Sequence, residues 1–182
     1  MFCGRLIKLK GADLAVNILN ELINRGNKNI FLEIIGEGEL RGEIKKSIKI
    51  KGLESFIHLK GKQTQEEIIN SFESADLFLL PGIKDPIDGR CEAQGLVIQE
   101  AQAMELPVIV SDVGGMKYGL IPNKTGYVVK ENDINGFADS IESLINDPQK
   151  AENMGKEGRK FVKDNYDSSI LVDKLLAIYH KY

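Results

Sequence analysis

The sequence predicts a three-layer α/β domain built on a six-stranded parallel sheet, and three observations predict it. Short apolar runs with little polar alternation recur along the chain, the pattern of strands buried on both faces. Between them lie stretches with apolar residues at three- and four-residue spacing, so that strands and helices alternate. Glycine-rich turns follow the apolar runs, at Gly4, Gly36 to Gly38, Gly61, Gly82 to Gly95 and Gly114 to Gly115. That is the edge at which open parallel sheets bind ligands.

Each element has its own justification. A short strand ends near Cys3, Gly4 to Gly11 forms a loop, and Asp13 to Arg25 carries Leu14, Ile18, Leu22 and Ile23 at helical spacing before Gly26-Asn27 closes it. Ile30 to Ile35 is an apolar run of strand length. Leu40, Ile44 and Ile48 mark a second helix, stopped by Lys51-Gly52. Phe56 to Leu59 is a third strand, Gln65 to Phe72 a third helix, and Leu77 to Leu80 a fourth strand broken by Pro81-Gly82. Pro81 to Gln94 is the longest irregular stretch, and long loops in compact domains usually serve function. A helix opens near Gly95, Pro107 to Ser111 is a fifth strand, and Gly126 to Val129 a sixth. Three helices complete the chain, separated at Asp147-Pro148 and Tyr166-Asp167-Ser168.

Composition narrows the function classes. The chain has 182 residues, 42% apolar and 28% charged, enough for one globular domain spanning 1–182 with a sizeable core. A net charge of −3, with Lys and Arg scattered among Asp and Glu, argues against nucleic acid as a partner. No run approaches the roughly 18 apolar residues of a membrane span, and no leader pattern opens the sequence, so a cytoplasmic location is expected. Cys3 and Cys91 form no metal-like set and His58 and His180 have no ligand spacing; reduced thiols and no metal are expected. His58 is expected to be a strand residue with a satisfied side chain. The chain starts directly on its first strand, as a piece of something longer would.

A few residues stand out as carriers of chemistry. Arg5 and Lys10 flank the tight loop into the first helix, and two cations beside helix N-terminal N–H groups suit a diphosphate; a solvated Lys-rich loop is the alternative. Gly36-Glu37-Gly38-Glu39 resembles half a dinucleotide fingerprint, but Arg41 stands where a third glycine belongs. Those glycines fit either a tight turn or a nucleotide wall. Gly95 would let a phosphate approach the first turn of the following helix. Glu100 has Leu96, Val97, Ala103 and Met104 three and four positions away, which sets its carboxylate in an apolar stripe. A buried carboxylate needs a partner: a protein cation, backbone N–H groups or a ligand's hydroxyls.

Taken together, Gly4-Arg5-Leu6 with Lys10-Gly11, Gly36 to Leu40, Glu92 and Glu100 with seven residues between them, Leu106 to Ile109, and Ser111 to Gly115 resemble the C-terminal domain of retaining group 1 glycosyltransferases of the GT-B fold. The resemblance covers nearly the whole chain. It implies a Rossmann-like, nucleotide-sugar donor-binding domain, with UDP- or GDP-sugar as donor and a glycan or lipid as acceptor. It assigns the diphosphate to Arg5 and Lys10, the donor sugar to Glu92, and the ribose hydroxyls to Glu100. The backbone at Gly95 and Leu96 would meet phosphate and sugar oxygens, and Gly61-Lys62 would face the base; Gly36 and Gly38 are candidate nucleotide-binding positions. No cofactor or metal is implied. The wording around Glu92 to Gln102 is similar to exopolysaccharide and lipopolysaccharide enzymes.

Three departures matter. Gln94 replaces an aromatic residue common in the family, and the segment Asp85 to Cys91 is individual. The family's N-terminal acceptor domain is missing, so this chain alone is expected to be inactive; peripheral attachment to the inner face of a membrane would come through that domain. Two other classes stay open at this point. A GT-B sugar-nucleotide epimerase would use the same pocket, and a non-catalytic nucleotide-sugar module would bind without turnover.

Overall fold

The computed structural model describes residues 1–180; of the expected span 1–182, the last two residues lie outside the description. The element order is β1 (Phe2–Cys3), α1 (Ala12–Asn24), β2 (Leu32–Ile35), α2 (Arg41–Ile50), β3 (Ile57–Gly61), α3 (Gln65–Glu73), β4 (Phe78–Leu80), α4 (Leu96–Ala103), β5 (Val108–Ser111), β6 (Gly126–Val129), α5 (Ile134–Ile145), α6 (Pro148–Tyr166) and α7 (Ser168–Tyr179). All six strands pair in parallel, in the ladders β1-β2-β3 and β4-β5-β6. The ladders meet at the first residue. The N–H of Leu79 donates to the Met1 carbonyl at 2.9 Å, and the Met1 amine donates to the Leu77 carbonyl at 2.7 Å. The order across the molecule is therefore β3-β2-β1-β4-β5-β6, the doubly wound arrangement with its crevice where the order reverses between β1 and β4.

Burial follows from that order. The central strands are buried at Phe2, Ile34, Ile35, Phe78, Leu80 and Val108 to Val110, whereas β3 at the edge exposes His58 and Lys60. His58 thus lies in a strand as expected, with its side chain exposed to water. Reversal of the strand order and right-handed crossovers place α1 and α2 on one face and α4 on the other. There α5 packs on α1 and α6 on α4. Arg25 clamps the first pair, donating to Asp139 at 2.6 Å and to Glu142 and Glu21 at 2.9 Å.

The helix starts are chemical. Thr64 and Glu67 form a reciprocal capping box at α3. Asp133, Asp147 and Asp167 accept the N–H of Gly136, Lys150 and Ser169 at 2.9–3.0 Å, and Pro148 occupies the first turn of α6. Each such cap contributes about 1 kcal/mol. The last two caps are why the helices break at 147 and 167. Two short 3₁₀ turns, Lys8–Lys10 and Met116–Gly119, occupy segments expected to be irregular.

Candidate functional site

The glycine turns gather at the C-terminal edge of the sheet, as the strand directions require. Gly36, at φ +139°, carries no side chain that could fit, because a Cβ there would lie 1.9 Å from the Gly4 carbonyl oxygen. The turn after β2 therefore lies flat on the turn after β1. The Gly36 N–H donates to the Gly61 carbonyl at 2.8 Å and Leu6 donates to Glu37 at 2.9 Å, so Gly4, Gly36 and Gly61 form one backbone layer, with Gly38 against the Leu6 carbonyl. Arg41, in place of a third glycine, begins α2 and bonds Glu37 at 2.9 Å.

The loop after β4 is tied down at both ends. Ile83 donates to the Leu9 carbonyl at 3.0 Å and Lys84 to the Glu131 carboxylate at 2.7 Å. The tip folds on itself, with Asp85 donating to the Arg90 carbonyl at 2.7 Å, while Ile87 projects into water. At the far end, the Gly115 N–H donates to the Glu92 carbonyl at 3.0 Å, and a Cβ on Gly115 would come within 1.6 Å of the Ala93 oxygen. The turn after β5 thus clamps the backbone of Glu92.

Three predicted residues converge there. The Lys10 ammonium forms an ion pair with Glu92 Oε2, and Glu92 Oε1 accepts the N–H of Gly95 at 3.1 Å. The two side chains are only 15% and 16% exposed. Gly95 is buried at φ +71° and caps α4, with Leu96 as the first helical residue. Arg5 and Lys62 are exposed and carry no side-chain hydrogen bond or ion pair among the described residues.

Glu100 requires a correction. Of its expected neighbours, Val97, Ala103 and Met104 are half-buried, with Val97 and Met104 packed on the core, but Leu96 is 68% exposed and Glu100 is exposed without a protein partner among the described residues. The inward face of α4 is Ile98, Gln99, Ala101 and Gln102. A helix places residue 100 opposite residues 98 and 102, so the carboxylate never enters the core. It still belongs to this edge. The buried Cys3 thiol at the end of β1 is pushed up to about 11, first by burial and then by the charge of Glu100, with Lys10 opposing.

Gln99 and Gln102 are the residues that sequence reasoning missed. Gln102 donates to the Gly119 carbonyl at 2.7 Å and so fixes the 3₁₀ turn that continues from Gly115. Gln99 lies against the first turn of α4, where its amide, turned nitrogen towards that turn, would donate to the Gly95 and Leu96 carbonyls at 3.2 Å. Two glutamines three apart in an otherwise apolar helix were the available signal. Among the described residues no three His, Cys, Asp or Glu side chains gather as a metal set, and no helix is long and apolar enough to cross a membrane.

Comparison with known proteins identifies the family. The family model for glycosyl transferases group 1 matches residues 1–161. The α-D-kanosaminyltransferase of Streptomyces kanamyceticus is 29% identical over 181 residues, covering 100% of this chain and 45% of that protein. TarM crystallised with fondaparinux, alpha-GlcNAc-glycerol and UDP superposes with a TM-score of 0.86 at 27% identity, over 98% of this chain and 34% of that one. The solved C-terminal domain of the group 1 protein LpcC from Francisella tularensis shares the fold, with a TM-score of 0.78 at 21% identity over 92% of this chain and 85% of that one. The chain spans less than half the length of the curated relatives named here. By its sequence match over most of its length and by its fold, the chain belongs to the group 1 glycosyltransferases.

Proposed function

We propose that the chain is the donor-binding half of a retaining glycosyltransferase that moves a sugar from a UDP- or GDP-sugar to a glycan or lipid acceptor, in the synthesis of a surface polysaccharide. The observation that carries the reading is the convergence of Lys10, Glu92 and the N-terminus of α4 at the C-terminal edge of the sheet. That place holds a cation, a carboxylate and helix N–H groups together, beside an exposed Arg5. Kanosaminyl-, N-acetylglucosaminyl- and mannosyltransferases among the relatives support sugar transfer, and the UDP held by TarM supports a nucleotide donor.

In this reading Arg5, Lys10 and the α4 terminus hold the diphosphate. As the bond from the sugar's anomeric carbon to the phosphate oxygen breaks, negative charge grows on the departing diphosphate. Each fixed donor aimed at that charge is worth roughly 10²–10³ in rate. Glu92 accepts from hydroxyls of the donor sugar and Glu100 from those of the ribose, a role for which an exposed, unpaired carboxylate needs no rearrangement. Gly36 and Gly38 keep the nucleotide wall thin, and the Gly61-Lys62 turn faces the base. The retaining outcome and the absence of a metal come from the family resemblance alone, with the two cations neutralising the leaving group.

The acceptor side lies with the rest of the longer protein, so the 182-residue chain binds nucleotide without turnover; transfer by this chain with donor and acceptor supplied would overturn that. Calorimetry with UDP, GDP and ADP tests the site. Glu100→Ala should weaken the preferred nucleotide about tenfold, or 1.4 kcal/mol. Unchanged affinity for all three nucleotides would remove the ribose role.

A further inference from the structure

Glu92 makes two bonds, and both are to groups that a phosphate would take. One is to the Lys10 ammonium and the other to the Gly95 N–H at the start of α4. An ammonium with a helix N-terminal amide is a phosphate's donor set. At 15% and 16% exposure the pair is too shielded to be a solvated surface contact. The backbone of Glu92 has no freedom to leave. Its carbonyl is held by Gly115, and a Cβ at Gly114 would lie 2.1 Å from that same oxygen. The side chain can turn away; the main chain cannot.

Accepting the donor-site reading above, on which this inference rests, we propose that Glu92 is a built-in stand-in for the donor's phosphate. Its displacement then favours ligands carrying both a diphosphate and a sugar. When a diphosphate takes Lys10 and the Gly95 N–H, Glu92 loses both partners while a second anion arrives beside it. A partly desolvated carboxylate left without donors is unfavourable. The hydroxyls of an attached sugar supply those donors, and a bare nucleoside diphosphate does not. Glu92 thus discriminates the intact donor from the diphosphate product of its own reaction. Through its ion pair Glu92 also positions Lys10.

The test is calorimetry of the 182-residue chain with UDP against UDP-glucose and UDP-N-acetylglucosamine, and GDP against GDP-mannose, for wild type, Glu92→Gln and Glu92→Ala, with thermal melts to verify folding. Both variants should bind the bare diphosphate at least about threefold more tightly and the matching nucleotide sugar more weakly, shifting the ratio of affinities about tenfold. A pure charge effect would tighten both ligands and a purely structural role would weaken both; either result overturns the proposal. A wild-type chain that binds none of the five ligands would instead overturn the donor-site reading, and this inference with it.

Discussion

The two edges of the sheet differ in what they leave open. Beneath the strand starts lies a largely apolar cavity of about 750 Å³, lined by residues such as Met1, Leu22, Phe31, Leu77, Leu106 and Pro107. The opposite edge carries the glycine turns, the exposed Arg5 and Glu100 and the shielded Lys10–Glu92 pair. An apolar hollow is the usual default for a ligand site, yet the cations Arg5 and Lys10 and the start of α4, the groups suited to an anionic ligand, lie at the polar edge. Strand direction decides this. All six strands deliver their turns, and the start of α4, to one side of the sheet, so donors and cations accumulate there and side-chain bulk accumulates at the other.

Substitutions at each edge can break or sharpen the contrast. The largest effect is expected from Gly115→Ala, whose methyl would sit 1.6 Å from the Ala93 oxygen. The clamp on Glu92 must then open, at about 4 kcal/mol or more. Urea unfolding should record the loss and calorimetry an absence of nucleotide binding; wild-type affinity in a stable variant would show that the clamp is dispensable. At the other edge, Leu22→Ala should cost about 3 kcal/mol through the void it leaves. Its nucleotide affinity should stay that of wild type, and a parallel loss of affinity would couple the two edges.

A smaller effect concerns pH. When the chain starts at Met1 with a free amine, burial pushes that amine down from 8.0 to about 6, with Glu33 and Asp76 opposing. The unfolded chain therefore binds the extra proton between pH 8 and 6. The stability is fully present above pH 8 and declines as pH falls toward 6, by on the order of 2–3 kcal/mol. N-terminal acetylation should flatten this slope in urea titrations at pH 6, 7 and 8. An unchanged slope would assign it to other groups.

Much of the fold was legible because buried parallel strands are written as local apolar runs and helix starts as local caps. Asp147-Pro148 and Tyr166-Asp167-Ser168 marked breaks that the structure makes at those residues. The phase of α4 was not legible. Its eight residues are apolar on both sides, and two glutamines, of which Gln102 reaches the Gly119 carbonyl, took the inner face, leaving Leu96 and Glu100 outside. Nor could the sequence pair Lys10 with Glu92, since a contact across the sheet crevice leaves no trace in local spacing. The resemblance had brought both to one ligand without bringing them to each other.

The Asp85 to Arg90 tip has a consequence for how such chains diversify. Its internal hydrogen bonds close the tip on itself, Ile83 and Lys84 anchor one side, and the Gly115 clamp anchors the other. Replacing or lengthening those few residues would disturb little of the buried structure, because closing a somewhat longer loop costs only a few tenths of a kcal/mol. Ile87 and its neighbours can therefore change over a fixed floor of glycine turns without a stability crisis.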